Sequence, residues 1–172
     1  MDITNLINRY NIYIYERFNA LLTSGKKDFT NNDLCKIFEY YSAIKLSQEY
    51  NQTFYEYSDI DPCFKEDNKM SRNDTGIDLC NLEDTIVQCK LRDKSLSWGE
   101  CGTFFGSQNM FYSEHNRIDV RWEYLVITRN ESCKLTKNLE DKSDLFIDKV
   151  YNKNELLDYC RSLKKFDRTK IR

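Results

Sequence analysis

The chain holds one proline, five glycines and one histidine in 172 residues, and no apolar run approaches the ~20 residues that a membrane-crossing helix needs. Each shortage excludes something. With so little proline and glycine there is no linker-like stretch, and no internal repeat is present. A single histidine, His115, argues against a histidine-rich metal site or a catalytic triad. The seven cysteines, at 35, 63, 80, 89, 101, 133 and 160, include no C-x-x-C pair. An odd count without close spacing points to reduced thiols, not to a disulfide frame or a zinc site. The start Met1-Asp2-Ile3-Thr4-Asn5 lacks the basic head and apolar core of a signal peptide. The expectation is an intracellular protein of a reducing compartment, cytoplasm or viral replication site, without a membrane segment.

Excess charge is also missing. The net value of −2 provides no global attraction for nucleic acid. Locally the balance differs. From residue 161 onward, Arg161, Lys164, Lys165, Arg168, Lys170 and Arg172 face Asp167 alone. This run reads either as a solvated tail or as a basic strip that lies on phosphates.

What is present is a soluble-domain composition, 31% charged and 40% hydrophobic, in a length that suits one core. Apolar residues at helical spacing predict helices over 3–23 and 31–50, the second opened by a capping-box-like Thr30 and Asp33. Residues 52–57 alternate and predict a strand, and 58–73 read as loop. Two short strands follow, 75–81 and 85–91, joined at Leu82-Glu83-Asp84. Ser95 opens a predicted helix to about Tyr112, with polar loop at 113–121. The continuous apolar Leu125-Val126-Ile127 marks a strand at 122–128 buried on both faces. A helix near 135–142, a strand at 145–150 and a helix at 153–165 close the chain. This order predicts a mixed sheet with helices on its faces.

The most informative stretch is Thr75-Gly76-Ile77-Asp78-Leu79 followed by Thr85-Ile86-Val87-Gln88-Cys89-Lys90. Strand side chains alternate, so Gln88 and Lys90 share a face and Cys89 points the other way. If the two runs pair, an acid, an amide oxygen and an ammonium converge at one sheet edge. That set suits a divalent cation and a phosphodiester. Each residue also has a plain role open to it: Asp78 capping a turn, Gln88 and Lys90 as the solvent face of an edge strand.

The pattern Gly76-Ile77-Asp78, then a hairpin, then Gln88-Cys89-Lys90 resembles the PD-(D/E)xK nuclease superfamily, and most closely its Mrr-like restriction endonuclease branch. Phe38-Glu39, Tyr124–Thr128, Leu145–Asp148 and Glu155–Leu157 resemble the family's helix, next core strand, closing strand and closing helix, so the likeness spans roughly 32–160. It implies a restriction-endonuclease-like α/β fold, a mixed sheet of four to five strands flanked by helices. The expected division is an N-terminal helix over 1–30, a nuclease domain over 31–165 and a basic tail over 166–172. It implies a Mg2+-dependent deoxyribonuclease, with Mn2+ as substitute. Asp78, Gln88 and the Cys89 backbone carbonyl are the expected metal ligands. Asp78, Gln88, Lys90 and Glu39 are the expected catalytic set, with Glu49 and Asp74 as fallback ligands. Glu39 reads equally well as a solvated helix residue. Nucleic-acid contacts are expected from Lys90, Ser107, Gln108, Lys164, Lys165, Arg168 and Lys170, although ordinary surface polarity also explains Ser107 and Gln108.

The expected partner is DNA, with a homodimer as one arrangement, since one active site cuts one strand. The ending Thr169-Lys170-Ile171-Arg172 resembles the lead-in to the first motif of superfamily 2 helicases, so a helicase domain in the same polypeptide is a further expected partner. The Asn-, Lys-, Asp- and Tyr-rich composition suggests an AT-rich genome, which would suit a large DNA virus or a mobile element. The competing reading is a catalytically weak or inactive nucleic-acid-binding module of a larger helicase-like protein.

Overall fold

The structure, a computed structural model, describes residues 1–68, 70–72, 76–107 and 124–163. Among the described residues, six helices and five strands run in the order α1 (Ile3–Thr23), α2 (Asn31–Tyr50), β1 (Tyr55–Glu56), α3 (Pro62–Asp67), β2 (Leu79–Cys80), β3 (Thr85–Lys90), α4 (102–107), β4 (Tyr124–Asn130), α5 (Lys137–Asp141), β5 (Ile147–Tyr151) and α6 (Lys153–Ser162).

Local chemistry sets the two long helices. Asp2 caps α1 by accepting the Asn5 N–H at 2.8 Å. Thr30 and Asp33 cap α2 reciprocally, at 3.1 and 3.0 Å, the capping box that the sequence predicts. Asn51 ends α2 in the left-handed region, φ 52°, which asparagine tolerates.

The sheet is mixed, in strand order β1-β2-β3-β4-β5. β1–β2 and β2–β3 are antiparallel; β3–β4 and β4–β5 are parallel. One face carries Leu79, Val87 and Val126 against Leu6, Tyr10, Phe38, Ile44 and Leu156 of α1, α2 and α6. The other carries Cys80, Ile86, Leu125 and Ile127 against Phe104, Phe105, Leu139 and Phe146. Burial on both faces explains the continuous apolar run of β4. Helix α1 shares its core with α2 and the sheet.

Several boundaries differ from the sequence reading. The strand expected over 52–57 is confined to Tyr55–Glu56, because Phe54 turns its N–H to the Ser47 hydroxyl at 3.0 Å instead of to a neighbouring strand. The expected loop over 58–73 contains a 3-10 turn at Tyr57–Asp59 and then α3. Asp61 caps α3 and Pro62 takes its first turn, a start signal that outweighs the weak periodicity. β2 is only two residues long. The helix expected from Ser95 begins later. Leu96 bridges to Leu135, Gly99–Cys101 form a 3-10 turn, and helical backbone starts at 102. The expected features at 108–121 lie outside the described residues.

The β2–β3 connection is built on Asn81. Its side-chain oxygen accepts the N–H groups of Glu83, Asp84 and Thr85 at 3.0, 3.0 and 2.9 Å. Leu82 takes a left-handed φ of 64° inside this turn. Asn81 thereby fixes where β3 begins and hence which face Gln88 occupies.

Candidate active site

Asp78 straddles Gln88. Its own N–H donates to the Val87 carbonyl at 2.8 Å, and its carboxylate accepts the Cys89 N–H at 2.7 Å. On its other side the Asp78 carbonyl accepts the Tyr57 N–H at 2.9 Å. The β2–β3 ladder pairs Leu79 with Val87 and stops there. The Asp78 carboxylate takes over the backbone donor of Cys89 that a longer β2 would have satisfied. N–H and C=O of one strand residue point to the same edge. The Cys89 carbonyl therefore also points to the edge that β2 leaves open.

Gln88 lies on the sheet face of Ile86, opposite Val87, and is 5% exposed. Its Nε2 donates to the Gly76 carbonyl at 3.3 Å. That contact fixes the orientation of the amide, since a carbonyl needs a donor facing it. The amide oxygen Oε1 is buried and accepts no hydrogen bond. An orphaned buried acceptor costs about 1–3 kcal/mol. Gly76 itself holds φ +90°, and a Cβ there would meet Thr103 Cγ2 at 3.1 Å and the Phe104 nitrogen at 3.3 Å. Only glycine fits where this backbone passes α4 and offers its carbonyl to Gln88.

Lys90 ends β3 on the face of Gln88, beside Arg129 of β4. Asp148 takes the Arg129 guanidinium, with Nε at 3.0 Å from one carboxylate oxygen. Lys90 joins none of the ion pairs among the described residues. Asp78 thus lies against Gln88, whose Oε1 accepts no hydrogen bond, and Lys90 shares the face of Gln88.

Glu39 stands on α2, on the other side of the sheet, where Lys36 binds it at 2.8 Å. Lys36 also binds Glu56 of β1 at 2.5 Å. Glu39 is still close enough to act on Cys89. Burial, and after it the charges of Asp78 and Glu39, push the Cys89 thiol well above its ordinary range. Cys89 is therefore a neutral thiol and no nucleophile. All seven cysteines are free thiols in the structure.

The remaining sequence-predicted residues fall elsewhere. The Ser107 hydroxyl donates to the Thr103 carbonyl at 2.8 Å on α4. Glu49 pairs with Lys149 at 2.6 Å near the exposed end of α2. Gln108, Asp74, Lys164, Lys165, Arg168 and Lys170 lie outside the described residues. The sequence reading passed over Lys36, Glu56 and Lys65. Alternation could have flagged Glu56, whose neighbours in β1 are aromatic.

A hard cation would find oxygen donors here: the Asp78 carboxylate, the unsatisfied Gln88 Oε1 and the Cys89 carbonyl. This donor set fits Mg2+ or Mn2+, which favour oxygen and keep several waters. It contains one carboxylate, and no group of three His, Cys, Asp or Glu side chains assembles among the described residues. Among them, too, no helix is long and apolar enough to cross a membrane. Compared with protein-family models, curated proteins and solved structures, the chain matches none.

Proposed function

We propose that this chain is a metal-dependent DNA endonuclease domain of the PD-(D/E)xK type, hydrolysing phosphodiester bonds at Asp78, Gln88 and Lys90. The observation that carries the reading is the buried Gln88 Oε1 without a donor, next to the Asp78 carboxylate and on the strand face of Lys90. A protein retains such an orphan at a cost, and a bound cation would satisfy it.

Asp78, Gln88 and the Cys89 carbonyl would hold Mg2+ or Mn2+. When bound, the ion supplies positive charge to the scissile phosphate and a more acidic water. The chain's own groups do the rest. Asp78 is held by the Cys89 N–H, so its carboxylate sits against β3 beside Gln88. Lys90 can neutralise the developing charge on the phosphate or orient the attacking water. Glu39, held by Lys36, adds negative potential from the far side of the sheet without being placed as a ligand.

Gln88→Glu tests the ligand assignment. A carboxylate at this position loses the donor that faces the Gly76 carbonyl, so the metal-free variant should be less stable by about 1–2 kcal/mol. The added charge should tighten Mn2+ binding about tenfold or more by calorimetry. Mn2+ should then raise the melting temperature of the variant more than that of the wild type. Equal affinity in both proteins would remove Gln88 from the ligand set.

The single carboxylate at the site favours a second reading, a binding module that holds DNA with little or no cutting. Weak metal retention together with DNA binding would select it.

A further inference from the structure

Lys65 is the one buried lysine among the described residues, with 7% of its surface exposed. It stands on α3, a helix whose Phe64 packs against the second core with Tyr57, Ile60 and Met70. Its ammonium sits 4.3 Å from the centroid of the Tyr57 ring. It joins none of the ion pairs among the described residues. A lysine drawn this far out of water ordinarily gains a carboxylate partner. A ring face offsets only part of the lost hydration.

The position of the ring gives this cation a use. Glu56 pairs with Leu79, so the next rung sets Tyr57 beside Asp78, and the Tyr57 N–H to Asp78 carbonyl bond closes it. Asp78 in turn straddles Gln88 through its bonds to Val87 and Cys89. Tyr57 and Gln88 lie on one sheet face, and the Asp78 backbone runs between them. Lys65 is held over the Tyr57 ring, and Lys90 follows Gln88 on β3. Neither Lys65 nor Lys90 joins an ion pair among the described residues.

We infer that Lys65 is a subsite for a nucleic-acid backbone phosphate, adjacent to the phosphate placed at Asp78, Gln88 and Lys90. It rests on the nucleic-acid reading above and names a substrate contact of the same site. Lys65 makes no contact with the reacting atoms; it binds and positions the strand. The anion supplies a partner to an ammonium that none of the carboxylates of α3 and β1 engages in an ion pair among the described residues.

The test is Lys65→Met in the full chain, with duplex DNA binding followed by fluorescence anisotropy in EDTA across a salt series. Losing one phosphate contact should weaken binding about three- to tenfold at moderate salt and reduce the log–log salt slope by about 0.9. The melting temperature should rise, because an uncompensated buried charge is removed. Lys65→Arg should hold affinity within about twofold. Unchanged affinity and slope in Lys65→Met would overturn the inference and leave a structural lysine stacked on a ring. Should Lys65→Met fail to fold, an NMR titration of the wild-type Lys65 side chain with inorganic phosphate decides. A saturable shift supports the subsite, and no shift overturns it. The two proposals fail separately. A wild type that binds DNA through Lys65 but never cuts loses the nuclease reading alone. A wild type that cuts, with Lys65→Met binding normally, loses the subsite alone.

Discussion

Lys90→Ala should cut DNA at least about 10²- to 10³-fold more slowly than the wild type, the loss expected when one preorganised charge-stabilising group is removed. The fold should not suffer. Lys90 is the last residue of β3, half-buried, and joins none of the ion pairs among the described residues. DNA affinity should fall less than about fivefold, because one ammonium is a small share of a multi-phosphate contact. The signature is therefore a lost kcat with a nearly kept KM. Lys65→Met should show the reverse, a weaker KM with kcat nearly kept. Single-turnover cleavage beside anisotropy separates the two. Parallel losses of rate and affinity in Lys90→Ala would make Lys90 a plain phosphate contact.

The largest stability effect is expected at Lys36. Its ammonium binds Glu39 at 2.8 Å and Glu56 at 2.5 Å. Glu56 is 3% exposed, and its only other side-chain partners among the described residues are the Ser58 N–H, at 3.0 Å, and the Ser58 hydroxyl. Removing one member of a buried pair costs about 3–5 kcal/mol because the other charge stays behind. Lys36 keeps 32% of its side chain in water, so Lys36→Ala should cost about 2–3 kcal/mol, or roughly 5–10 °C in Tm. Adding Glu56→Gln should recover part of the loss, since the stranded charge is then gone.

The pH dependence has a defined sign. Burial pulls the Lys36 pKa down, but its hydrogen bonds to Glu39 and Glu56 outweigh this and hold it above the ordinary lysine value. A raised lysine pKa contributes stability that is fully present below the unfolded value, about 10.4, and is lost as pH climbs through the folded value. The gap between wild type and Lys36→Ala should stay constant from neutral pH to about 10 and narrow above it. Equal melting temperatures at pH 7 would show that Glu56 is satisfied without Lys36.

How much of this was legible in the sequence follows from the range of each interaction. The caps of α1 and α2 act over three residues, so Asp2 and Thr30-x-x-Asp33 state them openly. Strand alternation acts over two, and it places Gln88 and Lys90 on one face of β3. The apolar run Leu125–Ile127 announces a doubly buried strand because both its neighbours are parallel. Long-range pairing leaves no such trace. Lys36 and Glu56 are twenty residues apart, and each alone reads as a solvated charge. Lys65 sits in an Asp- and Glu-flanked segment, and nothing in its spacing tells that α3 folds it onto Tyr57. Asp61-Pro62 did carry a helix-start signal, but α3 is too short to show apolar periodicity. The capture of the Cys89 N–H by Asp78 depends on β2 stopping at Leu79, and no local pattern sets that end.

The most direct test of the central claim is the conversion of supercoiled plasmid to nicked or linear DNA in Mg2+ and in Mn2+, by wild type and by Asp78→Asn. Asparagine keeps an oxygen to accept the Cys89 N–H, so the variant should fold, with a loss of stability of about 1–2 kcal/mol. It removes the one carboxylate of the donor set. Divalent-ion-dependent, EDTA-sensitive cleavage by the wild type, reduced at least about 10²-fold in folded Asp78→Asn, is the predicted result. Cleavage at the same rate by both proteins, or none by the wild type with either ion, would contradict the account.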